Sequence, residues 1–254
     1  MRAQVRGQFG PRAECYVESP DHARGQSLDR MLEIVRPRPG WRALDVATGG
    51  GHTALALAPR VAEVVATDIT AEMLRAAERF IRGKGIANVS FSEADAMELP
   101  FGDASFDLVT CRIAPHHFPD CARFAHEAAR VVSPGGVVAM VDNIVPENEE
   151  AAAFINEIER LRDPSHHRAY SRREWIELWV GSGLGVEHAE TFRKALDFDR
   201  WADRMAVGEP LRSRLREMMT TASGPAAEAL SPEAVGERLR FHLSEVLIVA
   251  RKGA

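Results

Sequence analysis

The sequence predicts an α/β fold, a doubly wound sheet of about seven strands with helical cap inserts. Three observations carry that expectation. Short apolar runs alternate with helix-period segments from Trp41 to Asp142, the pattern of a parallel sheet covered on both faces and joined by right-handed crossovers. The first run, residues 41–46, ends in Gly49-Gly50-Gly51 before a helix-prone stretch to Ala58. Past Asp142 the alternation gives way to amphipathic helices.

Residues 1–20 form a polar arm with Phe9, Tyr16 and Val17 as its large apolar anchors, which either packs loosely or folds over a ligand. Over residues 22–35, Leu28, Met31, Leu32 and Val35 fall at i, i+3, i+4 and i+7, so a helix starting near His22 buries one face and stops at Pro37 and Pro39. Residues 62–67 read as the second strand, ending at Asp68. Thr70 is placed to N-cap a helix carrying Leu74, Ala77 and Ile81, closed by Gly83 and Gly85. The third strand, 89–92, leads to Asp95, and the fourth is 106–110. Pro119 and Asp120 start a helix through Phe124, Ala128 and Val131, and Ser133-Pro134-Gly135-Gly136 reads as a tight turn into the fifth strand, 137–141.

Beyond Asp142, Phe154, Ile155, Ile158 and Leu161 mark a helix broken near Pro164. Ser171 to Glu174 is a capping box for a helix with Trp175, Ile176 and Trp179, stopped at Gly181 and Gly183. A sixth strand is expected over 186–192. Two amphipathic segments follow, with Phe198, Trp201, Ala202 and Met205, then Leu211, Leu215, Met218 and Met219. Ser231 and Pro232 are read as opening a last short helix, and 243–250 as a closing strand. The inserts attach at strand ends, where ligands of open parallel sheets sit. Their aromatic and Met residues either line a substrate cavity or, more in keeping with helical spacing, form core.

Composition narrows the function. The chain has 254 residues, 45% of them hydrophobic, and 32 Lys plus Arg against 37 Asp plus Glu, a formal net charge of -5. That acidic balance argues against a nucleic-acid partner. Cys15, Cys111 and Cys121 are scattered and lack CxxC spacing, which points to reduced thiols in the cytoplasm and to no metal site. The start, MRAQVRGQFG, has no apolar stretch of a secretory signal, and no run of about 18 apolar residues predicts a membrane span.

The glycine loop lets a ligand approach bare backbone beside the free N–H groups of the next helix. Gly49 to Ala54 fits G-x-G-x-x-[G/A], the dinucleotide fingerprint, so an NAD-dependent enzyme is one reading. Asp68 serves a ribose in either cofactor. Asp45 discriminates: an acid at the end of the first strand repels phosphates at close range and suits a cationic ligand such as S-adenosylmethionine.

LDVATGGG, HTALALAP, VVATDITAEML, ADAMELPFGDASFDLVTCR, HHF and EAARVVSPGG, in that order, together resemble the class I S-adenosylmethionine-dependent methyltransferases, especially the ubiquinone and menaquinone C-methyltransferase branch. The flanks, QFGPRAECYVES and DPSHHRAYSRREW, are similar to small bacterial members of that branch. The resemblance implies a Rossmann-like sheet, mostly parallel with an antiparallel last strand. It also implies one methyltransferase domain over 1–254, with a cofactor-binding core at about 28–146, cap elements at about 1–27, 147–183 and 195–239, and a closing strand at 240–252.

It implies, further, that Asp45 and the backbone of Ala47, Thr48, Gly49 and Gly51 hold the methionine part of S-adenosylmethionine. Asp68 takes the ribose hydroxyls, and Ile69 packs on the adenine. Asp95 meets the adenine amino group beside Ala96, and Cys111 and Arg112 lie next to the sulfonium. S-adenosylhomocysteine would be the product.

Methyl transfer requires near-attack positioning of a nucleophile, helped by a base where a proton must leave. His116 and His117, after the fourth strand, are the candidate bases, with substrate packing as their alternative role; His22, His166 and His167 are weaker candidates. The aromatic inserts favour a small-molecule methyl acceptor. A non-catalytic S-adenosylmethionine-binding regulatory protein is the reading from another class, and a homodimer is left open.

Overall fold

The computed structural model describes residues 7–9, 26–236 and 238–254. Tyr16, Val17, Cys15, the start of a helix at His22 and most of the 1–27 cap element lie outside the described residues. In chain order the elements are α1 (Gln26–Val35), β1 (Arg42–Val46), α2 (His52–Leu57), β2 (Glu63–Asp68), α3 (Ala71–Gly83), β3 (Val89–Glu93) and β4 (Phe106–Arg112). A 3₁₀ turn, Pro115–His117, leads to α4 (Cys121–Val131), β5 (Val132–Val145), α5 (Glu149–Arg162), β6 (Tyr170–Ser171), α6 (Arg172–Gly181) and β7 (Leu184–Asp197). The remainder is α7 (Phe198–Asp203), α8 (Leu211–Thr220), α9 (Gly224–Leu230), β8 (Glu233–Val235) and β9 (Arg238–Lys252).

The strands form one sheet in the order β3-β2-β1-β4-β5-β9-β7, with β6 added to β5 and β8 to β9. Strands β1 to β5 pair in parallel, and β9 runs antiparallel between β5 and β7. The sheet thus holds nine strands; the two beyond the expected seven, β6 and β8, span two and three residues.

Alternation along each strand sends neighbours to opposite faces. Leu44, Val109, Val138 and Met140 pack with Phe124 of α4 and with Trp175 and Trp179 of α6. Ala43, Leu108, Ala139 and Val141 pack on the other face with Met31 of α1, Leu57 of α2 and Ile81 of α3. A third apolar cluster, with Ile158, Phe198, Trp201, Leu215 and Phe241, belongs to the inserts. Because the chain moves from β1 outward through β2 and β3, then returns to place β4 on the other side of β1, the connections diverge at the carboxyl ends of β1 and β4. Such a switch point leaves a crevice.

Two local expectations are corrected and a third is met in position only. Ser133 to Gly136 is no turn: it lies inside β5, where pairing with β4 shifts register between Phe106 and Leu108. A side chain at Gly136 would meet the Asp107 and Ser133 carbonyl oxygens at 2.9 Å, so glycine lets the strands close over the irregularity. Ser231 and Pro232 open no helix. Gly224-Pro225 opens α9, Ser231 closes it at φ 41°, and residues 233–235 are drawn into pairing with β9. Thr70 occupies the N-cap position of α3 without a side-chain cap bond; Asp68 Oδ1 accepts its N–H instead, at 2.9 Å.

Candidate active site

At the switch point a cavity with about 1690 Å³ of empty space, open solvent at its mouth included, runs from the glycine loop to the inserts. Asp45, Ala47, Thr48, Gly49, Asp68, Ile69, Asp95, Ala96, Arg112, His116 and His117 all line it. Cys111 and Gly51 do not. Cys111, 1% exposed, packs in the core beneath. Gly51 adopts φ 82°, and a side chain there would press within 3.0 Å of Ala77 and Ile81, so this glycine seats α2 against α3 rather than facing a ligand.

The acids at the strand ends organise the near half. Asp45 is buried, and accepts the Thr48 hydroxyl on Oδ2 at 2.6 Å and the Thr110 hydroxyl on Oδ1 at 2.8 Å. Burial raises its pKa to about 6, with those hydroxyls pulling the other way. Asp68 Oδ2 accepts the Gly49 N–H at 3.0 Å. One carboxylate therefore ties the glycine loop to the end of β2. Burial lifts the Asp68 carboxyl above its ordinary range, and the Thr70 and Gly49 N–H groups oppose that lift. Gly49 sits at φ 54° with no atom within 4 Å of where a side chain would start, leaving open backbone facing the cavity. Asp95 Oδ1 accepts the Met97 N–H at 2.9 Å.

The far half starts at the 3₁₀ turn after β4. His116 Nδ1 lies 2.6 Å from Oδ1 of Asp142, in the carboxyl-terminal part of β5, and both are buried. Burial opposes a charge on His116, but the Asp142 carboxylate and its hydrogen bond outweigh it and raise the imidazole's pKa. Burial also raises Asp142, and the imidazole only partly reverses this. His117 behaves oppositely. Burial and the neighbouring His116 push its pKa down to about 3. Its Nδ1 is 3.0 Å from the Ser165 carbonyl oxygen, which only accepts, so Nδ1 carries the ring's proton. Phe9 meets the His117 ring edge-on at 5.0 Å.

Glu159, Arg162 and Asp163 from the end of α5, Lys194 and Leu196 from β7, Trp201, Arg204 and Met205 from the α7 region, and Leu243 and Glu245 from β9 also line the cavity. Of the insert residues read from the sequence, Trp201 and Met205 reach the cavity; Trp175 and Trp179 are core of the sheet, and Phe198, Met218 and Met219 belong to the insert cluster. His166 and His167 are not in the wall. Asp142 was legible by the logic that picked out Asp45, an acid in line with an apolar run. Glu159 had no such signal, being one of several acids on a polar-faced helix. Among the described residues no group of three or more His, Cys, Asp or Glu is placed to hold a metal, and no helix is long and apolar enough to cross a membrane.

Comparison with known proteins fits this arrangement. A family described as "Methyltransferase domain" matches residues 44–140. The uncharacterized methyltransferase YcgJ of Bacillus subtilis is 35% identical over 242 residues, covering 94% of this chain and 96% of that protein. The chain belongs to the class I S-adenosylmethionine-dependent methyltransferases. The methyltransferase superposes on the YcgJ crystal structure with a TM-score of 0.87, covering 91% of this chain and 100% of that one at 34% identity. The ubiquinone/menaquinone biosynthesis C-methyltransferase UbiE of Brucella anthropi is 41% identical over 114 residues, 42% of this chain and 43% of that protein. The geranyl diphosphate C-methyltransferase of Streptomyces coelicolor, solved with S-adenosyl-L-homocysteine, shares the fold at a TM-score of 0.60 and 13% identity, covering 89% of this chain and 77% of that one.

Proposed function

We propose that this methyltransferase transfers a methyl group from S-adenosylmethionine to a small organic acceptor by in-line displacement, with His116 receiving the acceptor's proton. The reading rests on one observation: a single cavity connects the strand-end acids Asp45, Asp68 and Asp95 to the His116–Asp142 pair and the insert wall. It treats residues 1–254 as one domain, a cofactor-binding core at about 28–146 with the cap elements around it.

The near half suits this cofactor. Asp45 offers an anionic oxygen to an ammonium group, the open backbone at Gly49 admits close approach, and Asp68 and Asp95 stand where hydroxyls and an amino group can donate to them. S-adenosylmethionine, when bound, supplies an activated methyl on a cationic sulfur. A dinucleotide is disfavoured, because its pyrophosphate on the same loop would face the buried Asp45 carboxylate.

His116 is the better base of the pair. Asp142 fixes Nδ1–H and leaves Nε2 as the proton acceptor, an arrangement in which the carboxylate orients the ring and stabilises the imidazolium that forms. His117, with its pKa near 3, holds a proton too weakly for that task and instead packs between Phe9 and Ser165. UbiE, by its name, methylates carbon; a carbon acid activated by His116 is the acceptor form closest to that relative.

Thermal shift with S-adenosylhomocysteine against NAD tests the cofactor, since only a ligand of the folded form raises the melting point. Stabilisation by NAD alone would sink the proposal. His116→Ala is expected to lower kcat by about 10²–10⁴-fold while leaving S-adenosylhomocysteine affinity unchanged.

A further inference from the structure

The last turn of α5 brings a polar group to the acceptor end of the cavity with one bond unmade. Glu159 is 4% exposed and lines the cavity. Its Oε2 accepts from Arg162 Nη2 at 2.9 Å. Its Oε1 is buried and has no hydrogen-bond partner among the described residues. Arg162 is held from a second side, its guanidinium 4.8 Å above the Trp201 ring, and its own buried Nε is likewise without a partner among the described residues. A buried carboxylate oxygen without a donor is costly. In a cavity wall it marks where a ligand's donor belongs.

We propose that Glu159 Oε1 anchors the methyl acceptor by taking a hydrogen bond from a hydroxyl on a neutral, largely apolar molecule, a reading that rests on the methyl-transfer function above. The surroundings select against charge of either sign. An ammonium would meet a carboxylate already matched by Arg162, in a wall where Lys194 and Arg204 balance Asp163 and Glu245. A carboxylate or phosphate would lie against the bare Oε1. A hydroxyl completes Oε1 without adding charge, and a hydrogen bond from O–H to an ionised carboxylate is among the stronger kinds. The same cavity supplies Trp201, Met205, Leu196 and Leu243 for an apolar body. The anchored hydroxyl is distinct from the reacting atom, which belongs beside His116.

The test is isothermal titration of the protein saturated with S-adenosylhomocysteine, using four probes on one bicyclic frame: 2-tetralol, tetralin, 2-aminotetralin and tetralin-2-carboxylate. The wild type is expected to bind 2-tetralol at least about tenfold more tightly than the other three. Glu159→Ala removes the advantage over tetralin, and Glu159→Gln, whose amide oxygen still accepts, retains part of it. Glu159→Ala/Arg162→Met, which leaves no unpaired buried charge, repeats the loss in a chain whose melting point is close to wild type. Tighter binding of the amine or the carboxylate, binding of none of the probes, or an unchanged tetralol-to-tetralin ratio in the variants overturns the proposal. S-adenosylhomocysteine affinity is read in the same samples. Cofactor binding without a tetralol preference overturns the anchor alone, whereas a wild type that does not bind S-adenosylhomocysteine overturns the methyltransferase reading itself.

Discussion

Single residues set the pH behaviour of the site. His116 has a raised pKa, so it keeps its proton to higher pH than an ordinary imidazole and the ring is a base only once that proton leaves. The rate is therefore expected to rise with pH through a midpoint above 6.5, the ordinary histidine value. In Asp142→Asn the main influence raising the pKa is gone and burial is opposed only by the weaker pull of Glu159 and Asp163, so the midpoint moves down from the wild-type value and kcat drops; a pH–rate profile of both proteins checks the sign. Asp45 responds to pH in the same sense. With a pKa of about 6 it is ionised only above that pH, and the folded protein's preference for the protonated form makes its ionisation cost about 3 kcal/mol in the empty site. Stabilisation by S-adenosylhomocysteine should accordingly be larger near about pH 7.5 than near about pH 5, measured as the melting shift at each. The acids at strand ends were legible in the sequence because the apolar runs pointed at them. Glu159 and Arg162 were not, since nothing along one helix reveals which of its charged residues a distant β9 and α7 will enclose.

At the scale of elements, periodicity foretold type better than boundary. The strands from β1 to β4 were readable because each ends at an acid or a turn. β5 was read as starting late, since Ser-Pro-Gly-Gly spells a turn locally and only pairing with β4 keeps it in the strand. Likewise Ser231-Pro232 has a helix-opening signature, but β9 offers residues 233–235 a ladder. Gly136→Ala tests the β5 irregularity. With carbonyl oxygens 2.9 Å from the added carbon, the strands must separate, and a loss of about 1–3 kcal/mol in denaturant unfolding is expected. An unchanged midpoint would show that the local pairing gives way at no cost.

Across the whole molecule, two apolar clusters sandwich the sheet and a third lies within the inserts. Leu215 is fully buried in the third, so Leu215→Ala should cost about 2–5 kcal/mol. Because the strand-end acids lie outside that cluster, S-adenosylhomocysteine should still bind, and melts with and without it separate the two effects. The placement of β9 reaches further, into how the chain folds as it leaves the ribosome. β5 and β7 meet only through β9, so while β9 is still being synthesised both present open edges that invite pairing with other chains. Nascent chains halted after residue 237 are expected to be captured by chaperones and cut by protease between β5 and β7. Chains long enough to expose β9 should resist both.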